Sequence, residues 1–193
     1  MPGRGRCEEM LYRIRLIMFI IVFVILVSPT TYAKNIYDNS GRIAFNVTND
    51  WKYFPMPDNS LMTTVLGISL DNDTSVFVQK SKVFSSYRSM KSITDTDKSI
   101  IRDEVIQNYS MFFRYMGYSV SLNKADYFDT AIIAGFTLQK GINTYKALVA
   151  YHLKDYIIYS ITVLCTPATA RQALAAANSL TVDGIPFSKW VKQ

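Results

Sequence analysis

One histidine, His152, and two cysteines, Cys7 and Cys165, set the range of chemistry open to this chain. A serine hydrolase needs a nucleophile, a general base and an orienting acid. His152 is the one candidate base, and no Gly-x-Ser-x-Gly turn presents a serine to it. A zinc site needs three or four His, Cys or carboxylate ligands, and His152 with Cys165 does not supply a usual set. His152 falls in a strand-like run from Thr144 to Leu153, on the side of Lys146, Leu148 and Ala150, which is the pattern of an ordinary sheet-surface histidine. Cys165 closes an apolar run, where a lone cysteine behaves as a small buried hydrophobe.

The carboxylates add little. Asp71-x-Asp73 invites a calcium reading, but the other oxygen ligands and the loop glycine are missing, and the pair stands where a turn is needed. Glu104 is the one glutamate after the leader and lies on the polar face of a helix. A hydrolase built on aspartates that meet only in space stays open as a third reading. Eight glycines are scattered singly, so no phosphate-cradling loop forms and no cofactor is implied. Asn46-Val-Thr48, Asn72-Asp-Thr74 and Asn108-Tyr-Ser110 fit the glycosylation pattern, a motif too short to settle the source.

Charge is more informative. The formal net charge is +6, and beyond the leader all of the excess falls between Lys80 and Arg102. There Lys80, Lys82, Arg88, Lys91, Lys98 and Arg102 face only Asp95 and Asp97. The same stretch carries Phe84, Tyr87 and Met90 in a Ser-rich connector running from Phe84 to Thr96, and loops commonly host binding. Lys80, Lys82, Arg88 and Lys91 with those three apolar residues form a candidate interaction surface; a solvated loop fits the same pattern. No run of adjacent Lys or Arg tracks a phosphate backbone, which argues against nucleic acid as a partner.

The first 33 residues have the three parts of a secretory signal. Arg13 and Arg15 precede an unbroken apolar run, Leu16 to Val27; Ser28-Pro29 then breaks any helix, and Thr31-Tyr32-Ala33 places small residues where a signal peptidase reads them. The run is far shorter than the about 20 residues a spanning helix needs, so no stable transmembrane anchor is expected after cleavage. Cys7 precedes the apolar run, so it is not a lipid-bearing cysteine. Once the leader is gone, Cys165 has no disulfide partner. Met1 and Met10 both serve as starts, since Met10 to Arg15 alone makes an ordinary basic segment.

Lys34 to Gln193 reads as one domain. Hydrophobic residues make up 49% of the chain and charged residues 19%, which excludes disorder. Arg42 to Thr48 alternates as a half-buried strand, and Tyr53 to Ser60, with Pro55 and Pro57, reads as a loop. Thr64–Leu70 and Ser75–Val83 flank Asp71-Asn-Asp-Thr74 as a hairpin. Asp97 to Met116 is the clearest helix, capped by Thr96 or Asp97 and stopped by Gly117. Its apolar face runs through Ile101, Val105, Ile106, Tyr109, Phe112, Phe113 and Met116, with Phe112 central and Met111 outward. Tyr118–Leu122 is a short strand, Thr130–Leu138, Thr144–Leu153 and Tyr156–Cys165 form a meander, and Lys154-Asp155 makes its last turn. Thr166 and Pro167 open an Ala-rich helix over 168–180, and an irregular tail tucks in Ile185, Phe187 and Trp190. The fold class is α+β, a mainly antiparallel sheet with both helices packed on it.

This order of elements resembles the PsbP-like superfamily of α/β/α sandwiches. The likeness rests on Phe45-Asn-Val-Thr-Asn-Asp-Trp51, the hairpin, the long middle helix, the meander, and Tyr159-Ser-Ile-Thr-Val-Leu-Cys165 before the terminal helix. It implies a non-enzymatic assembly or docking role; no metal or docking residue carries over position by position. The leading reading is an exported interaction module, periplasmic, envelope-bound or extracellular, that binds a protein or an anionic envelope surface. The alternative is a small-ligand or lipid carrier with its pocket between the sheet and the long helix. N-terminal sequencing of secreted material is expected to begin at Lys34; recovery of Leu16 to Val27 in the membrane fraction would contradict cleavage.

Overall fold

Alternation of apolar and polar side chains organises most of this chain into antiparallel strands. A computed structural model describes residues 33–54 and 62–189, and the elements below belong to one unit that begins at Ala33. The leader, the loop residues Pro55 and Pro57, and Trp190 lie outside the described residues.

The strands are β1 (Ala33–Tyr37), β2 (Ile43–Thr48), β3 (Lys52–Tyr53), β4 (Met62–Ser69), β5 (Ser75–Ser81), β6 (Ser119–Tyr127), β7 (Ile132–Lys140), β8 (Asn143–Lys154), β9 (Ile157–Cys165), β10 (Thr181–Val182) and β11 (Ile185–Pro186). Two helices, α1 (Asp95–Tyr115) and α2 (Ala170–Ser179), complete the set, with short 3-10 turns at Met90–Ser92 and Phe187–Lys189. A seven-stranded sheet runs in the order β3-β4-β5-β9-β8-β7-β6, with every neighbouring pair antiparallel. A smaller sheet runs β1-β2-β10-β11.

The large sheet is buried on both faces. On one face Leu66, Ile68, Val76, Val78, Ile161 and Val163 pack with β2, the small sheet and the alanines of α2. On the other, Val105, Tyr109 and Phe113 of α1 pack on Phe136, Leu138 and Val149. Small alanines at Ala173, Ala176 and Ala177 let α2 lie close. The result is the α+β sandwich that the element order implies, with the sheet between two helical layers.

Several boundaries move for local reasons. Helix α1 starts two residues early because Thr94 is its cap: the Thr94 hydroxyl accepts from the Asp97 amide at 3.1 Å, and donates to the Asp97 carboxylate at 2.7 Å. The first of these bonds satisfies a first-turn amide that a cap at Thr96 or Asp97 would leave open, and the second fixes the Thr94 hydroxyl in place. Gly117 then ends the helical stretch at φ +87°, a conformation open to glycine. Helix α2 starts late because Thr166 and Thr169 bond each other through their hydroxyls at 3.0 Å, which holds Pro167 and Ala168 in a turn. Tyr53 belongs to β3 and not to the loop, and Tyr156 to the β8–β9 turn and not to β9. β1 has no counterpart among the sequence expectations, and the expected irregular tail contains β10 and β11.

The centre of the α1 face is also one residue along. Phe113 is 1% exposed and packs edge-on against Phe136, with ring centroids 5.6 Å apart, whereas Phe112 is half-buried. Phe113→Asp is therefore expected to destabilise the domain by at least about 3 kcal/mol, since it buries an unpaired carboxylate. Met111→Asp, on a 52% exposed position, is expected to cost less than about 1 kcal/mol. Urea denaturation of the two variants checks this, and equal losses would mean the helix faces the other way.

Candidate functional site

The connector between β5 and α1 is strapped to the β8–β9 turn. The Ser85 amide donates to the Tyr156 carbonyl at 2.6 Å, the Tyr156 amide donates to the Arg88 carbonyl at 3.2 Å, and Ser89 bridges to Lys154. Arg88 reaches the Asp155 carboxylate at 3.4 Å. Tyr87 donates its hydroxyl to Asp97 at 2.7 Å, which ties the connector to the first turn of α1. The Thr94 hydroxyl, and after it the Tyr87 bond, hold the Asp97 carboxyl below the usual carboxylate range, and the Tyr87 phenol is raised in turn. Beneath this strap Met90 and Ile93 pack on Ile132 and Leu153.

The expected interaction surface is therefore brought together in part. Lys80, Lys82, Phe84, Arg88 and Lys91 are exposed, Tyr87 is half-buried, and Met90 is core at 4% exposure. Met90 sits inward because the 3-10 turn Met90–Ser92 points it onto β8. Lys98 is likewise withdrawn from the basic segment. It is 4% exposed, its ammonium lying 3.4 Å from Asp95 and 3.3 Å from Asp129, and Arg102 pairs with Asp103.

Two residues outside the expected surface, Val83 and Tyr156, complete this end. Val83 is 69% exposed beside the expected Phe84 at 76%, and Tyr156, on the hairpin turn, accepts from the neighbouring Ser85 amide. Asp155 and Tyr156 take φ +48° and +67°, a two-residue turn in which both residues are left-handed. A tyrosine there is strained, and such strain concentrates at functional sites.

A second feature lies at the opposite end of the sheet, where α1 stops. A cleft of about 320 Å³ opens between the C-terminal turn of α1 and strands β3, β4 and β5. Phe77, Phe112, Phe113 and Leu164 make its inner wall, Phe54, Met116 and Tyr118 its sides, and Lys52, Asp71 and Asn72 its rim, with Ser69, Leu70 and Ser75 between. This is where the carrier reading placed a pocket. Phe54 is held there by Gly67: its amide donates to the Gly67 carbonyl at 2.8 Å, and its own carbonyl oxygen fills the space a Cβ at Gly67 would need.

The residues first considered for chemistry take structural places. His152 is part-buried, against the expected surface position, and its Nδ1–H donates to the Thr130 carbonyl at 2.7 Å; burial lowers its pKa. Cys165 is buried, its thiol raised by burial and directed at the Lys146 carbonyl. Asp71 accepts from the Asp73 amide at 2.9 Å, and Asp73 accepts from the Tyr145 hydroxyl at 3.0 Å, which is turn chemistry. Among the described residues no group of three or more His, Cys, Asp or Glu could hold a metal, and no helix is long and apolar enough to cross a membrane.

Comparison with solved proteins places the architecture. The solution structure of cyanobacterial PsbP (CyanoP) from Synechocystis sp. PCC 6803 matches with a TM-score of 0.54, covering 81% of this chain and 95% of that one at 14% identity. A crystal structure from Bacteroides thetaiotaomicron VPI-5482 matches with a TM-score of 0.45 at 16% identity, covering 77% of this chain and 48% of that one, so this chain spans about half its length. The chain matches no protein-family model and no curated protein by sequence. Its fold is PsbP-like, as in CyanoP.

Gly67→Ala is expected to push Phe54 off β4, lowering the melting temperature and removing hydrogen-exchange protection at the Phe54 amide. Protection at the wild-type level in this variant would show that Gly67 does not set the approach of β3.

Proposed function

We propose that this chain is an exported, non-enzymatic binding module that docks on an anionic envelope surface through its connector end. The observation that carries the reading is that one connector exposes both an apolar pair, Val83 and Phe84, and the basic side chains Lys82, Arg88 and Lys91. Apolar side chains at a loop tip gain about 25 cal/mol for each Å² they remove from water on insertion. Each Lys or Arg near an anionic leaflet adds about 1 kcal/mol, within a Debye length of about 8 Å. The strap to the β8–β9 turn supports a pre-organised tip, so little ordering entropy opposes docking. The leader supports export, and the role implied by the PsbP-like resemblance is of the same kind.

Flotation with vesicles containing phosphatidylglycerol is expected to carry the protein, neutral vesicles are not, and added salt is expected to weaken the binding. Arg88→Glu with Lys91→Glu is expected to lose at least about tenfold in affinity, given two reversed charges, with the melting temperature nearly unchanged because exposed loop charges contribute little to stability. Val83→Ser with Phe84→Ser is expected to weaken binding without altering its salt dependence. Arg171→Glu with Lys189→Glu changes the net charge equally on exposed positions outside this end, and is expected to keep most of the affinity. Equal losses from the two reversals would reduce the binding to nonspecific attraction, and no binding to anionic vesicles would overturn the reading.

A further inference from the structure

The cleft at the C-terminal end of α1 has the size, wall and rim of a small-molecule site. Its volume of about 320 Å³ falls at the lower end of ligand pockets, about 300 to 1,000 Å³. The inner wall is aromatic and aliphatic, through Phe77, Phe112, Phe113 and Leu164. Phe77 owes its place to the two-sided burial of β5: Val76 and Val78 serve the α2 core, and Phe77 is left for the opposite face, where it lines the cleft with Phe112 and Phe113 of α1. An apolar body of one ring or one branched side chain fits against that wall.

The rim decides the chemistry of the head group. Lys52 and Asp71 both line it, and among the described residues neither makes an ion pair, although β3 and the β4–β5 turn bring them to the same mouth. Asp71 spends one carboxylate oxygen on the Asp73 amide. The other is able to accept from a ligand's donor, and the Lys52 ammonium to donate to a ligand's acceptor. The peptide units of α1 add to this, since the carbonyl end of a helix favours positive charge. Ser69, Asn72 and Ser75 offer neutral hydrogen bonds between the two charges.

From this arrangement we propose that the cleft binds a zwitterionic apolar amino acid or dipeptide, its carboxylate toward Lys52, its ammonium toward Asp71 and its side chain against Phe77 and Phe112. The site is independent of the docking end. It lies at the far end of α1, a helix of 21 residues that spans about 30 Å at 1.5 Å per residue, so failure of one reading leaves the other standing.

Isothermal titration and amide chemical-shift mapping with phenylalanine, leucine and phenylalanyl-leucine test it on the full domain. Saturable binding is expected, with shifts confined to β3, the β4–β5 turn and residues 112–118. N-acetylphenylalanine amide, which has the ring and neither charge, is expected to bind at least about tenfold more weakly, as are phenylpropionate and phenethylamine, which carry one charge each. Lys52→Gln and Asp71→Asn alter exposed side chains and leave the fold intact; each is expected to weaken the zwitterion at least about fivefold and to leave the neutral amide unchanged. If the neutral amide binds as well as phenylalanine, the head-group assignment is wrong. If no zwitterion shifts the cleft amides at millimolar concentration, the site itself is refuted.

Discussion

The arrangement of this molecule depends on one buried hydroxyl chain. Strand β9 is covered on both sides, and the side facing α1 carries Ser160 and Thr162, each fully buried. A buried hydroxyl without a partner costs about 1 to 3 kcal/mol. Tyr109 of α1 supplies the partner: its hydroxyl meets Ser160 at 2.6 Å and Thr162 at 3.4 Å, and its ring stands edge-on to Tyr151 at 6.2 Å. Apolar packing alone would allow α1 to slide along the sheet, whereas a hydroxyl chain of this geometry fixes both its position and its rotation. Burial raises the Tyr109 phenol, so the group stays protonated and able to donate.

Much else follows from where that bond puts the helix. With α1 held over β6 to β9, its N-terminus meets the connector, and Tyr87 and Thr94 share Asp97 at that junction. Its C-terminal turn faces β3, β4 and β5 across the cleft. The opposite face needs no such device, because α2 and the small sheet pack there through alanines and aliphatic side chains. The small sheet is pinned instead by charge: Asp183 in the β10–β11 turn takes Arg42 at 2.5 Å and Lys154 at 3.1 Å. The Arg42 bond, ahead of the other contributions, holds the Asp183 carboxyl below its ordinary value.

What the sequence revealed, and what it hid, follow from the same physics. The β7–β8–β9 meander was legible because long apolar runs are broken at Gly141 and near Asp155, and α1 because its stripe is sustained from Ile101 to Met116, about four turns. Phe112 and Phe113 are both large and apolar, so a rotation of one residue decides between them, and only the Tyr109 bond sets it. β1 was not legible, since Ala33 to Tyr37 is a half-exposed edge whose existence depends on the free side of β2. Met90 and Lys98 look like surface in a Ser-rich basic stretch, and their burial comes from Leu153 and Asp129, far along the chain. The cleft draws Lys52, Phe77, Phe112 and Leu164 from four separate elements, and no local pattern announces such a meeting.

Whether the Tyr109 hydroxyl sets the seat of α1 is decided by a double-mutant cycle in urea denaturation with Tyr109→Phe, Ser160→Ala and the pair. Tyr109→Phe alone is expected to cost about 1 to 3 kcal/mol by stranding a buried hydroxyl. The double variant is expected to be more stable than the sum of the single losses implies, by at least about 1 kcal/mol. Losses that add to within about 0.5 kcal/mol would show the two residues to be energetically independent and would contradict that role of the hydroxyl.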